Sequence, residues 1–314
     1  MICLLVGVPE AARSRLAGGA PNLRFLAPDE VADGDRRQVE AALVWDFRFR
    51  SFDELVERFP DLRWIHTASA GVDHVLGPAV VRRGILVSNS AGVFDDAIAE
   101  YVMALVHAHA KGLLETAAAQ AARRWAYRET REVAGAAMLV VGAGRIGGAV
   151  AAVATAVGMR VMGVRRIAAP PSAGFEAIVS IGELDGALAS ADYVVLTLAA
   201  TPATVRLFDA ERLARLRPSA YLVNVARASV LDTAALVDAL RSGRLAGAAL
   251  DVHDEEPLPA DSPLWSAPNL FISPHMAGDT VGWDLRVVEG FLENLRRFRA
   301  GEPLATPVDP ARGY

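Results

Sequence analysis

Residues 138–166 read MLVVGAGRIGGAVAAVATAVGMRVMGVRR. An apolar run over 138–141 gives way to Gly142, Gly144 and Gly147 in the spacing G-x-G-x-x-G; a helix-forming stretch then runs to about Val157, and a second apolar run covers 160–164. Strand, glycine turn, helix and strand in this order make a βαβ unit whose turn can carry a pyrophosphate. Glycines there let the backbone turn tightly, approach the phosphates and pack helix on strand, while free N–H groups at the helix start receive the negative charge. The spacing alone also occurs in ordinary tight turns, and the flanking strands and helix are what point to a dinucleotide. Gly142, Gly144, Arg145, Ile146 and Gly147 are the candidate cofactor-binding residues of this turn.

The second strand ends in Arg165 and Arg166, about where such units place a carboxylate for the ribose hydroxyls of NAD. No Asp or Glu occurs between Met159 and Glu176. Guanidinium forks pair well with phosphate oxygens, so the two arginines point to NADP(H), with NAD(H) as the alternative if they are merely solvated.

The same rhythm extends outward. ICLLVGV, AALVWDF, RWIHTAS and GILVSNS precede the unit, and YVVLTL, AYLVNVA, GAALDV and NLFISP follow it, with helical segments such as DAERLARL and DTAALVDALRSGRL between them. Short β-branched runs alternating with helices predict α/β architecture with parallel, doubly wound sheets. The segment FDDAIAEYVMALVHAHAKGLLETAAAQAARRW reads as a helix started by Asp95 or Asp96 and unbroken to Gly112, apolar on more than one face. Such a helix belongs between domains or against another subunit. The C-terminal DLRVVEGFLENLRRFRAGEP is amphipathic, with Leu285, Val288, Phe291, Leu292 and Leu295 at helical spacing, and is expected to pack back on the first domain. That division gives a discontinuous substrate domain, 1–96 plus 285–314, and a dinucleotide domain, 97–284.

A length of 314 residues suits two such cores, and 53% hydrophobic with 22% charged residues excludes a disordered chain. A net charge of −5, with arginines scattered among acidic residues, offers no surface for nucleic acid. The opening MICLLVGVPE is too short for a signal peptide or membrane span, and Cys3 is the only cysteine, so a cytoplasmic location without disulfides is expected. His66, His74, His107 and His109 have no metal-like grouping.

The stretch NVARASVLDTAALVDALRSGRLAGAALDVHDEEPLPADSPLW followed by SPHMAGDT, with SAGVDHV and NSAGVFDDAIAEYV upstream in order, resembles the D-isomer-specific 2-hydroxyacid dehydrogenase family, nearest to its glyoxylate/hydroxypyruvate reductases. The resemblance spans nearly the whole chain. It implies two Rossmann-like domains with the active site in the cleft between them, a small 2-oxo or 2-hydroxy acid as partner, and a homodimer.

By position, the resemblance assigns Arg227 to the substrate carboxylate and carbonyl, His275 to acid/base chemistry and Glu256 to holding its imidazolium. Glu256 rather than Glu255 is assigned because it immediately precedes Pro257. It further assigns the amides of Ala70, Gly71 and Val72 to the substrate carboxylate, and Ala226 and Asp251 to the nicotinamide side. Ala226 and Ala228 stand where glycines are common in the family, and Ala199 where proline is usual, which makes substrate preference less transferable. His253 stands where an aromatic, usually Phe, is common and reads as a packed ring rather than a second acid. Trp45 and Trp283 read as pocket or core residues, and Arg48 and Arg50 as contacts for a second anionic group or as solvated side chains. The implied activity is NADPH-dependent reduction of a small 2-oxo acid. The alternatives are an NAD-dependent dehydrogenase of 3-phosphoglycerate, D-lactate or a similar acid, and a dinucleotide-sensing module like the C-terminal binding protein corepressors.

Overall fold

The structure, a computed structural model, describes residues 1–172 and 174–313. It contains twelve strands among those residues: β1 (Ile2–Val6), β2 (Arg24–Leu26), β3 (Val39–Val44), β4 (Trp64–Thr67), β5 (Leu86–Asn89), β6 (Ala137–Val141), β7 (Arg160–Arg165), β8 (Ala177–Ser180), β9 (Tyr193–Leu196), β10 (Tyr221–Asn224), β11 (Gly247–Leu250) and β12 (Leu270–Ile272). The α-helices are α1 (Glu10–Gly19), α2 (Phe52–Arg58), α3 (Pro78–Arg82), α4 (Asp95–Lys111), α5 (Leu113–Ala121), α6 (Arg145–Ala156), α7 (Leu184–Leu188), α8 (Ala210–Arg215), α9 (Thr233–Arg241) and α10 (Trp283–Ala300). Two units emerge, Met1–Phe94 with the segment from Thr280 onward, and Asp95–Asp279.

The first unit is a five-stranded parallel sheet in the order β2-β1-β3-β4-β5. Every residue of β1 is buried, the mark of a strand covered on both faces. On one face Ile2, Leu4, Ile65 and Val87 pack with Phe52 and Phe59. On the other, Cys3, Leu5 and Trp64 pack against Val288, Phe291 and Leu295 of α10. The returning C-terminal helix thus completes this unit's core. Beyond it, buried Asn294 accepts the amide of Ala305 at 2.7 Å, and Thr306 donates to the carbonyl of Asn89 at 2.6 Å.

The second unit is a seven-stranded parallel sheet in the order β8-β7-β6-β9-β10-β11-β12. Its order reverses between β6 and β9, the switch point at whose carboxyl edge doubly wound sheets bind ligands. The helix signals act as their chemistry requires: Asp232 accepts the amide of Ala235 at 3.0 Å to cap α9, and Gly243 follows it at φ +69. Asp95 and Asp96 lie inside the first turn of α4 rather than ahead of it, and the helix stops where Gly112 turns left-handed at φ +57. Its apolar side, including Ile98, Val102, Met103 and Val106, is buried, and α4 packs along α6. Among the described residues, no helix is long and apolar enough to cross a membrane.

Candidate active site

The glycine turn leaves β6 at the switch point and enters α6. Its three glycines do different work. Gly142 sits at φ +112, and a Cβ there would lie 2.6 Å from the amide nitrogen of Leu198. A Cβ on Gly147 would strike the carbonyl of Gly142 and come within 2.9 Å of Val140. These two positions are filled by the protein itself. A Cβ on Gly144 would meet nothing within 4 Å, so the space in front of the α6 N-terminus stays open to a phosphate-bearing ligand. Ile146 is half-buried, and Arg145 opens α6 with its Nε 3.1 Å from Asp95.

Arg165 ends β7, adjacent to β6, and Arg166 follows it; both are exposed and neither side chain makes a hydrogen bond or ion pair with the described residues. The residues present therefore fit a dinucleotide: an open glycine position at a helix N-terminus, with two uncommitted guanidinium groups on the neighbouring strand.

Farther along the same edge, β10, β11 and β12 are parallel neighbours in which Asn224 pairs with Leu250 and Leu250 with Ile272. Because the strands run the same way, their following loops leave from one edge. Those loops carry Arg227, then Asp251 to Glu256, then Ser273 to His275. The fold thus brings together three segments that are remote in sequence.

Side-chain hydrogen bonds fix each loop. Buried Asn224 accepts the amide of Ala226 at 3.0 Å and donates to the carbonyl of Arg227 at 3.0 Å, while Arg227 itself donates to the carbonyl of Ala226 at 2.8 Å. His275 stands at φ +55, a left-handed conformation that costs a non-glycine residue on the order of 1–2 kcal/mol. Buried Asp251 offsets that strain by accepting the Ser273 hydroxyl at 2.6 Å and the amides of Met276 and Ala277 at 3.0 and 2.9 Å. Ring and carboxylate then meet: Nδ1 of His275 lies 2.9 Å from Oε2 of Glu256, whose Oε1 accepts the amide of His253 at 2.9 Å.

Burial works against the charge on Glu256, but the hydrogen bonds from His275 and the His253 amide outweigh it and hold the carboxyl below its ordinary range. The carboxylate is thus ionised at neutral pH, as the partner of an imidazolium must be. On the same loop the Asp279 carboxyl is pushed up, first by burial and then by the charge of Asp251, against the opposing pull of His275.

In the first unit, the loop after β4 carries Ala70, Gly71 and Val72. The carbonyl of Ala70 accepts from Asn89 at 2.6 Å and that of Gly71 from Ser69 at 2.7 Å. The three amides make no hydrogen bond with the described residues. Trp45 and Trp283 pack together with ring centroids 5.2 Å apart. Arg48 pairs with Asp46 at 3.2 Å, and Arg50 donates to the carbonyls of Phe47 and Phe49. Sequence reading passed over Asn224 and Ser273, although a polar residue closing an apolar strand such as YLVN or beginning the loop after FI signals a turn-holding side chain.

A glycine turn at the switch point and a carboxylate-held histidine on the same sheet edge are features that fit a dinucleotide-dependent oxidoreductase. Residues 103–277 match the model of the D-isomer specific 2-hydroxyacid dehydrogenase, NAD binding domain. The chain is 34% identical over 291 residues to a glyoxylate reductase of Thermococcus kodakarensis, covering 90% of this chain and 86% of that one. Its fold matches a D-isomer specific 2-hydroxyacid dehydrogenase from Xanthobacter autotrophicus in complex with NADPH and MES, at TM-score 0.86 and 35% identity over 100% of this chain and 99% of the other. An NADPH-dependent glyoxylate/hydroxypyruvate reductase from Sinorhizobium meliloti, in complex with NADP and sulfate, matches at TM-score 0.86 and 27% identity, with the same coverage. The chain belongs to the D-isomer-specific 2-hydroxyacid dehydrogenase family and is an NAD(P)-dependent oxidoreductase.

Proposed function

We propose that this protein uses NADPH to reduce a small 2-oxo acid of the glyoxylate or hydroxypyruvate type to the D-2-hydroxy acid. The contact between His275 and Glu256 carries the reading of the chemistry. When bound along the Gly142–Gly147 turn, the reduced nicotinamide supplies the hydride to the carbonyl carbon. Nδ1 of His275 is taken by ionised Glu256, so the proton that moves to the substrate oxygen is the one on Nε2. Arg227 pairs the substrate carboxylate and polarises the carbonyl, and the amides of Ala70, Gly71 and Val72 are the first unit's donors for a carboxylate. Asp251 acts on His275 through the loop it holds, and Ala226 borders the nicotinamide.

Two observations favour a small substrate and NADPH. Arg48 and Arg50 are engaged by Asp46 and by backbone carbonyls, which weakens the case for a second anionic group on the substrate. Arg165 and Arg166 stand without partners among the described residues where a carboxylate would select NAD, and the Xanthobacter and Sinorhizobium relatives carry NADPH or NADP. We place the enzyme in the cytoplasm as a homodimer; Trp125 and Tyr127, 99% and 86% exposed, are apolar surface that a second copy would cover.

The test is initial-rate oxidation of NADPH and NADH with glyoxylate, hydroxypyruvate and larger 2-oxo acids, in wild type, His275→Asn and Arg227→Ala. Each variant is expected to lose roughly 100- to 10,000-fold in turnover, with NADPH affinity by fluorescence titration unchanged. Loss of cofactor binding in either would remove it from the role given.

A further inference from the structure

His253 is 8% exposed, and its ring is not simply packed. Its Nε2 lies 2.9 Å from the carbonyl of Ser273, and since a carbonyl only accepts, the ring proton is on Nε2. Its backbone amide, in turn, donates to Oε1 of Glu256. Ser273 is two residues before His275, whose Nδ1 meets Oε2 of the same carboxylate. The contacts close a circuit: His253 to Ser273, along the chain to His275, across to Glu256 and back to His253.

The arrangement carries a cost. Nδ1 of His253 is buried with no hydrogen-bond partner among the described residues, and an unmet polar atom of this kind costs roughly 1–3 kcal/mol. A phenyl ring would fill the same volume without that cost, so what the imidazole adds is its N–H. Asp251, at the start of the Glu256 loop, also grips the His275 segment through Ser273 Oγ and the amides after the histidine, but it lies five residues before Glu256, whereas His253 bonds the Glu256 carboxylate through its own amide.

We propose that His253 is a positioning residue whose ring N–H, bonded to the Ser273 carbonyl, ties the loop carrying Glu256 to the loop carrying His275 and sets the contact between the two. This rests on the Glu256–His275 reading above, and the test therefore has two arms.

The first arm measures kcat and KM for glyoxylate with NADPH in His253→Phe, His253→Gln and His253→Asn of the full chain. Phe keeps the ring without the donor, Gln places an N–H near the position of Nε2, and Asn is polar but too short to reach. Loss of one such hydrogen bond is expected to lower kcat roughly 3- to 15-fold in the Phe and Asn variants, with KM and NADPH affinity within about twofold, and Gln is expected to recover most of the loss. The second arm needs no turnover. It follows, by proton–nitrogen NMR of the substrate-free protein, solvent exchange of the His275 Nδ1 proton, assigned by its disappearance in His275→Asn. Exchange is expected to quicken about tenfold in the Phe and Asn variants and to stay near wild type in Gln, because a looser contact opens more often.

Wild-type behaviour of His253→Phe in both arms, or equal impairment of Gln and Phe, would overturn the proposal. If the wild type reduces no 2-oxo acid, the functional reading fails while the exchange arm still decides the role of His253.

Discussion

Each unit has an apolar first strand that runs through a glycine into a helix, yet the two turns have different chemistry. After β1 the chain runs Gly7, Val8, Pro9, Glu10, with Pro9 ahead of α1 and an acidic side chain in its first turn. After β6 it runs Gly142, Ala143, Gly144, Arg145, with a position in front of the helix that the protein leaves open. The α1 N-terminus is thus screened by a carboxylate, whereas the α6 N-terminus is presented to an anion. The histidines differ in the same sense. The first unit buries His66 between Ser88 and Ser90, and the second mounts His275 on a left-handed loop against an ionised carboxylate. One architecture buries a histidine in one unit and mounts one against a carboxylate at the sheet edge in the other.

The sharpest way to break this comparison is to add one methyl group at each glycine and read stability by urea unfolding. Gly142→Ala combines positive φ with a Cβ 2.6 Å from backbone, and is expected to cost about 2–5 kcal/mol. Gly7→Ala meets the Asp46 Cβ at 3.3 Å and the Asp46 amide nitrogen at 3.5 Å, at φ +68, and is expected to cost about 1–2 kcal/mol. Gly144→Ala, which meets nothing, is expected to stay within about 0.5 kcal/mol of wild type. Gly144→Val should then separate fold from function, leaving stability unchanged while weakening NADPH binding about 10- to 100-fold, an overpacking cost of roughly 1–3 kcal/mol. Equal losses at Gly7 and Gly142, or unimpaired NADPH binding by Gly144→Val, would erase the distinction between the turns.

The arginines after β7 sharpen the same contrast. Replacing Arg165 and Arg166 with serine removes charge-assisted contacts worth roughly 1.5–3 kcal/mol each when made, so at least a tenfold rise in KM for NADPH is expected, with KM for NADH within about threefold. A parallel rise for both cofactors would assign the arginines to the pyrophosphate rather than to the 2′-phosphate.

Much of the second unit is legible in the sequence because its signals are local. The glycine spacing, the Asp232 cap and the apolar runs each lie within a few residues of what they determine. The edge strands β2 and β8, of three and four residues, are too short to show a pattern. In α10 the buried face includes Val287 and Asn294, while Leu285 is 39% exposed. Hydrophobic spacing finds Val288, Phe291 and Leu295 but not Asn294, which is buried with a hydrogen bond to the Ala305 amide rather than for apolar area. Arg227, Glu256 and His275 were legible only through resemblance. Of the contacts that position them, Asn224 to Ala226 is local, whereas Asp251 to Ala277 and His253 to Ser273 depend on which strands are neighbours in space.

The closed side of the comparison has its own titration. His66 stacks among Trp64 and Phe291 with its ring nitrogens facing the hydroxyls of Ser88 and Ser90, and burial pushes its pKa down to about 3. An unfolded histidine titrates near 6.5. Between those values the unfolded chain binds the proton and the folded chain does not, so stability must fall as the pH falls. The contribution is whole above about 6.5 and declines toward pH 3 by at most about 1.4 kcal/mol per pH unit. His66→Phe keeps the ring and removes the titration. The difference in urea midpoint between wild type and His66→Phe is therefore expected to move steadily against wild type from pH 7 to pH 4, since the carboxylates common to both proteins cancel. A constant difference across that range would mean that His66 takes up its proton in the folded core, and the first unit would not be the closed one.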